Sequence, residues 1–188
     1  MATRPRLLAR WDLNFVLFCR STTLFQIMSL ADLQPNRLYI LLFIRHHPPI
    51  PNDFHWGLYF HRDSRRGGTK YHIKQQGSGW IFAHGPTSGV FKSFLLVGLF
   101  GIADVPGGWE DALDQTIRTY DHQLNQPATT CRVWLFRVLA LLQNAHVLKC
   151  TSLQELEAEA KSWGNAHASD AADNLQPRPF ANSSLCGL

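Results

Sequence analysis

One cysteine and two histidines in this chain have the residue types that nucleophilic catalysis requires. Cys131 begins an apolar stretch that runs to Leu142 and is typical of a buried helix. A helix N-terminus carries partial positive charge, which favours a thiolate over a thiol. A cysteine nucleophile also needs a base within hydrogen-bond reach and a third group that orients the base. His55 and His72 are the candidate partners, because both lie on strand-like segments that one hairpin can bring together.

Other interpretations of the same residues remain open. Unpaired cysteine is among the most frequently buried residue types, and most buried cysteines are inert. A single histidine on a strand is more often structural than catalytic. His61 shares a predicted strand face with His55 and is a rival base. The remaining cysteines are weaker candidates for the nucleophile: Cys19, Cys150 and Cys186.

The candidate residues depend on a set of predicted strands for their positions. Aromatic, β-branched and other apolar residues indicate strands at 37–45, 54–62, 69–76 and 80–83, with one more inside 91–103. The second and third strands are joined by a Gly-rich turn, which predicts a hairpin. Alternation along the second strand places His55 on the face opposite Trp56.

Three helices are predicted after the strands. The first covers 110–123, the second begins at Cys131 after Thr129 or Thr130 as its N-cap, and the third runs from about residue 151 to about residue 167. Strands followed by helices predict an α+β domain, in which an antiparallel β-meander packs on a buried central helix with two further helices. We expect this single domain at 28–167, an N-terminal extension at 1–27 and a loose C-terminal tail at 168–188.

Composition limits the class of protein. Hydrophobic residues make up 45% of the 188 residues and charged residues 17%, which is typical of a folded domain. No run approaches the roughly 18 apolar residues of a membrane-spanning helix. Four widely spaced cysteines predict neither a disulfide scaffold nor a structural zinc site, so we expect a reduced, cytoplasmic setting. The Arg-rich segment 1–20 is the one sign of mitochondrial targeting instead.

Motifs for cofactors and metals are missing from the sequence, so we expect neither. His-Glu-x-x-His, phosphate-loop and dinucleotide-binding patterns do not occur. Charge is uneven, since residues 1–70 hold ten Lys and Arg against four Asp and Glu, while the rest hold eight against ten. A basic first half suits an anionic partner such as tRNA, although solvated surface charge is the more ordinary explanation. The cations expected at a hairpin tip are Arg62, Arg65, Arg66 and Lys70.

Three segments together resemble known proteins. Phe54–Phe60 with its His-Trp pair, Gly68–His72, and Thr130–Trp134 with its Cys-Arg-x-Trp pattern resemble small fungal proteins of unknown function. Over about residues 37–165, the layout also resembles the circularly permuted papain-like fold of lecithin:retinol acyltransferase relatives and related thiol peptidases. This resemblance implies His55 as the base, His72 as the orienting residue and Cys131 as the nucleophile. Thr-Cys-Arg-Val-Trp replaces the acyltransferase signature Asn-Cys-Glu-His-Phe, so the substrate class does not carry over.

These observations lead to one main functional hypothesis and two alternatives. We expect thiol-dependent acyl transfer or hydrolysis of an amide, ester or aminoacyl ester, acting on a small-molecule or peptide acyl substrate. Residues expected to contact the substrate are Trp56, Tyr59, His61, Arg132 and Trp134. One alternative, suggested by likeness in size to fungal proteins of secondary metabolism, is cyclodipeptide synthesis from aminoacyl-tRNA. The other is a non-catalytic module that binds a ligand or RNA.

Overall fold

A computed structural model describes residues 29–188, whose centre is a six-stranded sheet. The predicted extension at 1–27 lies outside the described residues. The strands are β1 (Arg37–Ile44), β2 (Phe54–Asp63), β3 (Gly67–Tyr71), β4 (Ile73–Gln76), β5 (Gly79–Phe82), β6 (Gly85–Thr87), β7 (Leu96–Asp104) and β8 (Phe180–Asn182). The helices are α1 (Glu110–Arg118), α2 (Cys131–Asn144) and α3 (Leu153–Ala172), with 3-10 turns at Leu30–Asp32, Val90–Lys92 and Asp121–Gln123. The predicted α+β class is therefore confirmed.

The sheet is antiparallel except at one edge. Its strand order is β6-β3-β2-β1-β7-β8, and only β7 and β8 run parallel. The predicted third strand, 69–76, divides at His72 into β3, which pairs with β2, and β4, which forms a separate hairpin with β5. His72 therefore lies at a corner, where the chain leaves the main sheet.

The two faces of the sheet carry different cores. One face presents Leu42, Trp56 and Leu58 to a core that includes Leu135 of α2 and Leu156 of α3. We call this the helix face. The second face carries a smaller core. Side chains in and next to the 3-10 turns at Leu30–Asp32 and Val90–Lys92 cover it. Its members include Tyr39, Leu41, Tyr59, Leu33, Val90 and Phe91. Since side chains alternate along a strand, His55 lies with Tyr59 on the second face.

Helix α2 is the central helix of the helix face. Its N-cap is Thr130, whose side-chain oxygen accepts a hydrogen bond from the Val133 N–H at 3.2 Å. Thr130 is one of the two residues predicted for this position. The ring of Phe136 packs edge-on against Trp56, with centroids 5.7 Å apart. This packing holds the first turns of α2 against the start of β2. Among residues 29–188, none of the helices is long and apolar enough to cross a membrane.

The C-terminal segment is ordered, so the prediction of a loose tail at 168–188 is wrong. Helix α3 continues to Ala172, and β8 extends the sheet beside β7. Arg178 is only 1% exposed and donates hydrogen bonds to the carbonyl oxygens of Asp170 and Leu175. The pairing of β8 with β7 joins residues far apart in the chain, so the small and polar residues of this segment alone gave no sign of it.

Candidate functional site

His55 and His72 meet on the second face of the sheet, as the hairpin predicts. Nε2 of His55 lies 3.3 Å from Nδ1 of His72, and the two rings are close to perpendicular at 83°. Gly57 makes this contact possible, because a Cβ there would lie 3.0 Å from the Tyr71 carbonyl oxygen and 3.2 Å from Cβ of His72. A Cβ at this position would force the backbone around Tyr71 and His72 to shift by a few tenths of an ångström.

Burial and neighbouring cations keep both histidines neutral. Burial lowers the pKa of His55 to about 4, and the charges of Arg45 and Lys70 act in the same direction. The pKa of His72 is likewise lowered to about 4 by burial, then by Lys70 and by His55 itself. At neutral pH the pair therefore shares one hydrogen bond between two uncharged imidazoles.

A third histidine, His84, holds the corner at His72 and was missed by sequence reasoning. Its Nδ1 accepts a hydrogen bond from the His72 backbone N–H at 3.2 Å, so its own proton lies on Nε2, 3.1 Å from an Asp121 carboxylate oxygen. Its ring is fully buried and stacks on Trp134 of α2 at 5.7 Å. His84 thus links the His72 corner to the helix that begins with Cys131. No local pattern marks it, since its hydrogen-bond partners and Trp134 are at least twelve residues away in the sequence.

The Cys131 thiol is buried in the core of the helix face, whereas the His55 ring lies on the second face of the sheet. Burial raises the pKa of this thiol, and the backbone N–H groups of Trp56 and Arg132 oppose that rise. Trp56 directly follows His55, so the sulfur is near the backbone at the start of β2. Within residues 29–188, Sγ of Cys131 makes no hydrogen bond to a histidine ring. Proton transfer from Cys131 to His55 therefore requires a rearrangement that brings the two side chains together.

His61 is not a rival base for Cys131. It is fully buried in the second-face core, with Nδ1 3.4 Å from the Tyr59 hydroxyl. It lies six positions beyond His55 along β2, a span of about 20 Å in a strand. His61 is therefore separated from the histidine pair by most of the length of β2.

The predicted substrate contacts are mostly core residues, which corrects the sequence-based assignment. Four of them are 1% exposed or less: Trp56, Tyr59, His61 and Trp134. Aromatic residues and a histidine within strands and a helix fit a core and a cleft equally well, and only burial separates the two. Arg132 alone is exposed, and its guanidinium is paired with Glu157 at 2.9 Å.

The cations predicted at the hairpin tip are largely engaged by other residues. Arg62 donates to Glu110 at 2.8 Å and to Thr69 at 3.0 Å, and Arg66 donates to Asp63 at 2.6 Å. Lys70 is half-buried near the histidine pair. In the described part of the chain, no group of three or more His, Cys, Asp and Glu side chains is arranged to hold a metal ion.

The two depressed histidine pKa values predict a loss of stability in mild acid. An unfolded histidine titrates near 6.5 and the folded ones near 4, so between these values the unfolded chain binds more protons. The free energy of unfolding should therefore be greatest above pH 6.5 and fall as the pH drops towards 4. Each histidine contributes at most about 3 kcal/mol, and their shared hydrogen bond makes the pair less than additive.

Urea unfolding between pH 4.5 and 7.5 measures this effect. In the His55→Gln/His72→Gln variant the acid-dependent loss should shrink, because two of the groups that take up protons on unfolding are gone. An equally steep decline in the variant would assign the effect to other groups.

The comparisons with known proteins give a family and no function. Residues 35–172 match a family of unknown function (DUF6914). No curated protein and no solved structure matches the chain. Since the match spans most of the chain, the protein belongs to this family of unknown function, DUF6914.

Proposed function

We propose that the protein is a cysteine-dependent enzyme that transfers or hydrolyses an acyl group, built on a permuted papain-like arrangement. The observation that supports this most is the contact between His55 and His72 at the start of β2. The Cys131 thiol lies near the strand backbone in the same region. The three side chains come from β2, from the corner after β3 and from the start of α2. Rigid elements hold catalytic groups more accurately than loops do.

The histidine contact determines which nitrogen can act as the base. When Nε2–H of His55 donates to Nδ1 of His72, the Nδ1 of His55 keeps a free lone pair for the thiol proton. In the opposite tautomer, Nδ1 of His55 already carries a proton and cannot accept another. In the productive tautomer His72 therefore acts as the acceptor, and it stabilises the His55 imidazolium after proton transfer.

Acyl transfer then follows in two steps. Sγ of Cys131 attacks the acyl carbonyl while its proton moves to His55, so a C–S bond forms and the carbonyl oxygen becomes negative. The Cys131 and Arg132 N–H groups lie in the first turn of α2, without intrahelical partners, and can stabilise this oxyanion. The leaving group takes the proton back from His55, and water or an acceptor cleaves the thioester.

Because His55 and Cys131 are both uncharged in the resting protein, the proposed mechanism is general-base catalysis. A depressed His55 pKa and a raised Cys131 pKa give a neutral imidazole beside a neutral thiol at pH 7. The thiolate therefore forms only as the carbonyl is attacked, and the resting thiol should react slowly with simple alkylating agents.

Acylation by an activated ester tests the proposal. On incubation with p-nitrophenyl acetate at pH 7, intact mass and peptide mapping should locate one acetyl group on Cys131, and Cys131→Ser should stay unlabelled. Cys150 and Cys186 are matched internal controls, because they are 8% and 7% exposed against 6% for Cys131. Equal labelling of all three thiols, or none at Cys131, would reject the enzyme and favour a binding module.

A further inference from the structure

Two cysteines that are far apart in sequence lie opposite each other in the structure. Cys150 follows the end of α2, and Cys186 follows β8. They form an isolated antiparallel bridge, although their spacing in the sequence predicted no disulfide. Both are free thiols in this structure and both are buried.

The hydrogen bond beside the bridge shows which type of antiparallel pair the cysteines form. The Gly187 N–H donates to the Lys149 carbonyl oxygen at 2.9 Å, so the bond joins the residues that flank the pair. This is the pattern of a non-hydrogen-bonded pair, in which the Cα atoms lie about 4.5 Å apart and the side chains point to the same side. That separation falls within the range of roughly 4.4–6.8 Å spanned by disulfides.

The two thiols also influence each other directly. Burial raises the pKa of the Cys186 thiol, and the neighbouring Cys150 thiol raises it further, while the Ser183 side chain opposes the change. Cys150 donates its S–H to the Ser152 carbonyl oxygen at 3.3 Å, a hydrogen bond that oxidation would remove.

Contacts on the Cys186 side keep the pair in place. The Ser184 N–H donates to the Glu159 carboxylate on α3 at 2.7 Å, and the Ser183 hydroxyl donates to the same carboxylate. The Leu185 N–H in turn donates to the Ser183 hydroxyl oxygen at 3.1 Å. Closing an S–S bond would therefore not require the backbone to move far.

We infer that Cys150 and Cys186 form a disulfide when the protein meets a low-molecular-weight disulfide such as oxidised glutathione. One thiolate attacks the glutathione disulfide and releases the first glutathione, and the second attacks the mixed disulfide and releases the other. Two protein thiols are thus oxidised, one S–S bond forms in the protein, and the two protons leave with two molecules of reduced glutathione. The bond joins the segment after α3 to the loop before it.

The disulfide should cross-link the two ends of the segment 151–185, which includes α3. Cross-linking a loop of this length removes conformational freedom mainly from the unfolded chain. The melting temperature of the oxidised protein should therefore rise by roughly 10 °C over the reduced protein. In the folded protein both thiols are shielded, so refolding is the step at which glutathione reaches them.

The test is to refold the full chain in a glutathione redox buffer and map it without reduction. We expect a Cys150–Cys186 cross-linked peptide, the loss of two hydrogens in the intact mass and the higher melting temperature. The Cys19→Ala/Cys131→Ala variant keeps only this pair and should behave in the same way, whereas Cys150→Ser and Cys186→Ser should show neither change. Glutathione adducts without a cross-link, pairing with another cysteine, or a cross-link that leaves the melting temperature unchanged would each overturn the inference. The proposed catalytic role of Cys131 is unaffected by any of these outcomes.

Discussion

Replacing His55 with glutamine should slow acetylation of Cys131 by about 10²–10⁴-fold, the usual contribution of a general base. Glutamine keeps a hydrogen-bonding side chain beside His72 but cannot take the thiol proton. Because the thiol pKa is raised by burial, little thiolate exists near pH 7 to react without a base. Pre-steady-state release of p-nitrophenol measures the rate of this step.

The pH profile separates a lost base from a disturbed fold. In the unmodified protein the acetylation rate should stay flat near neutral pH and fall as His55 is protonated, towards its pKa of about 4. The His55→Gln variant should lack that acid limb and regain rate only as the thiol itself ionises at high pH. His72→Gln should show a smaller loss, since it removes orientation of the base and not the base.

His61→Gln is the matched control for this experiment. His61 lies on the same strand and face as His55, but about 20 Å away along β2. In the His61→Gln variant, Cys131 should be acetylated at the same rate as in the unmodified protein, once folding has been checked by circular dichroism. A loss as large as that of His55→Gln would contradict the assignment of His55 as the base.

Much of the fold could be predicted because it rests on local signals. Period-two alternation identified β2, and the Gly-rich turn after it predicted the hairpin that brings His55 to His72. An apolar run after a threonine N-cap identified α2, with Cys131 as its first residue. These features need only neighbours within a few positions of each other.

The rest depends on contacts between distant parts of the chain. His84 contacts Asp121 and Trp134, and β8 pairs in parallel with β7. Cys150 pairs with Cys186, although the whole of α3 lies between them in the sequence. No periodicity records such contacts. The difference between core and cleft was hidden for a related reason, because a large aromatic residue favours both environments.

Trp134→Ala should lower the free energy of unfolding by about 3–5 kcal/mol, the usual cost of removing a fully buried tryptophan. Trp134 is 1% exposed on α2, and its ring stacks on His84 with centroids 5.7 Å apart. Truncation leaves a cavity at the centre of the helix face and also removes the aromatic surface that covers the His84–Asp121 pair. Urea unfolding at pH 7, where the histidine pair is neutral, measures the loss.

Two control variants decide whether Trp134 is a core residue or a substrate contact. Trp109→Ala removes the same side chain from a site that is 44% exposed, and Arg132→Ala removes a neighbour on α2 whose ion pair with Glu157 is partly solvated. Trp109→Ala should cost clearly less than Trp134→Ala, because 44% of Trp109 is already exposed, and Arg132→Ala should cost less than about 1 kcal/mol, because surface ion pairs contribute little. If Trp134→Ala were as mild as these two, Trp134 would not be a core residue and its original assignment as a substrate contact would return. A large loss confined to Trp134 would instead identify its ring as a core residue of α2, the helix that begins with Cys131.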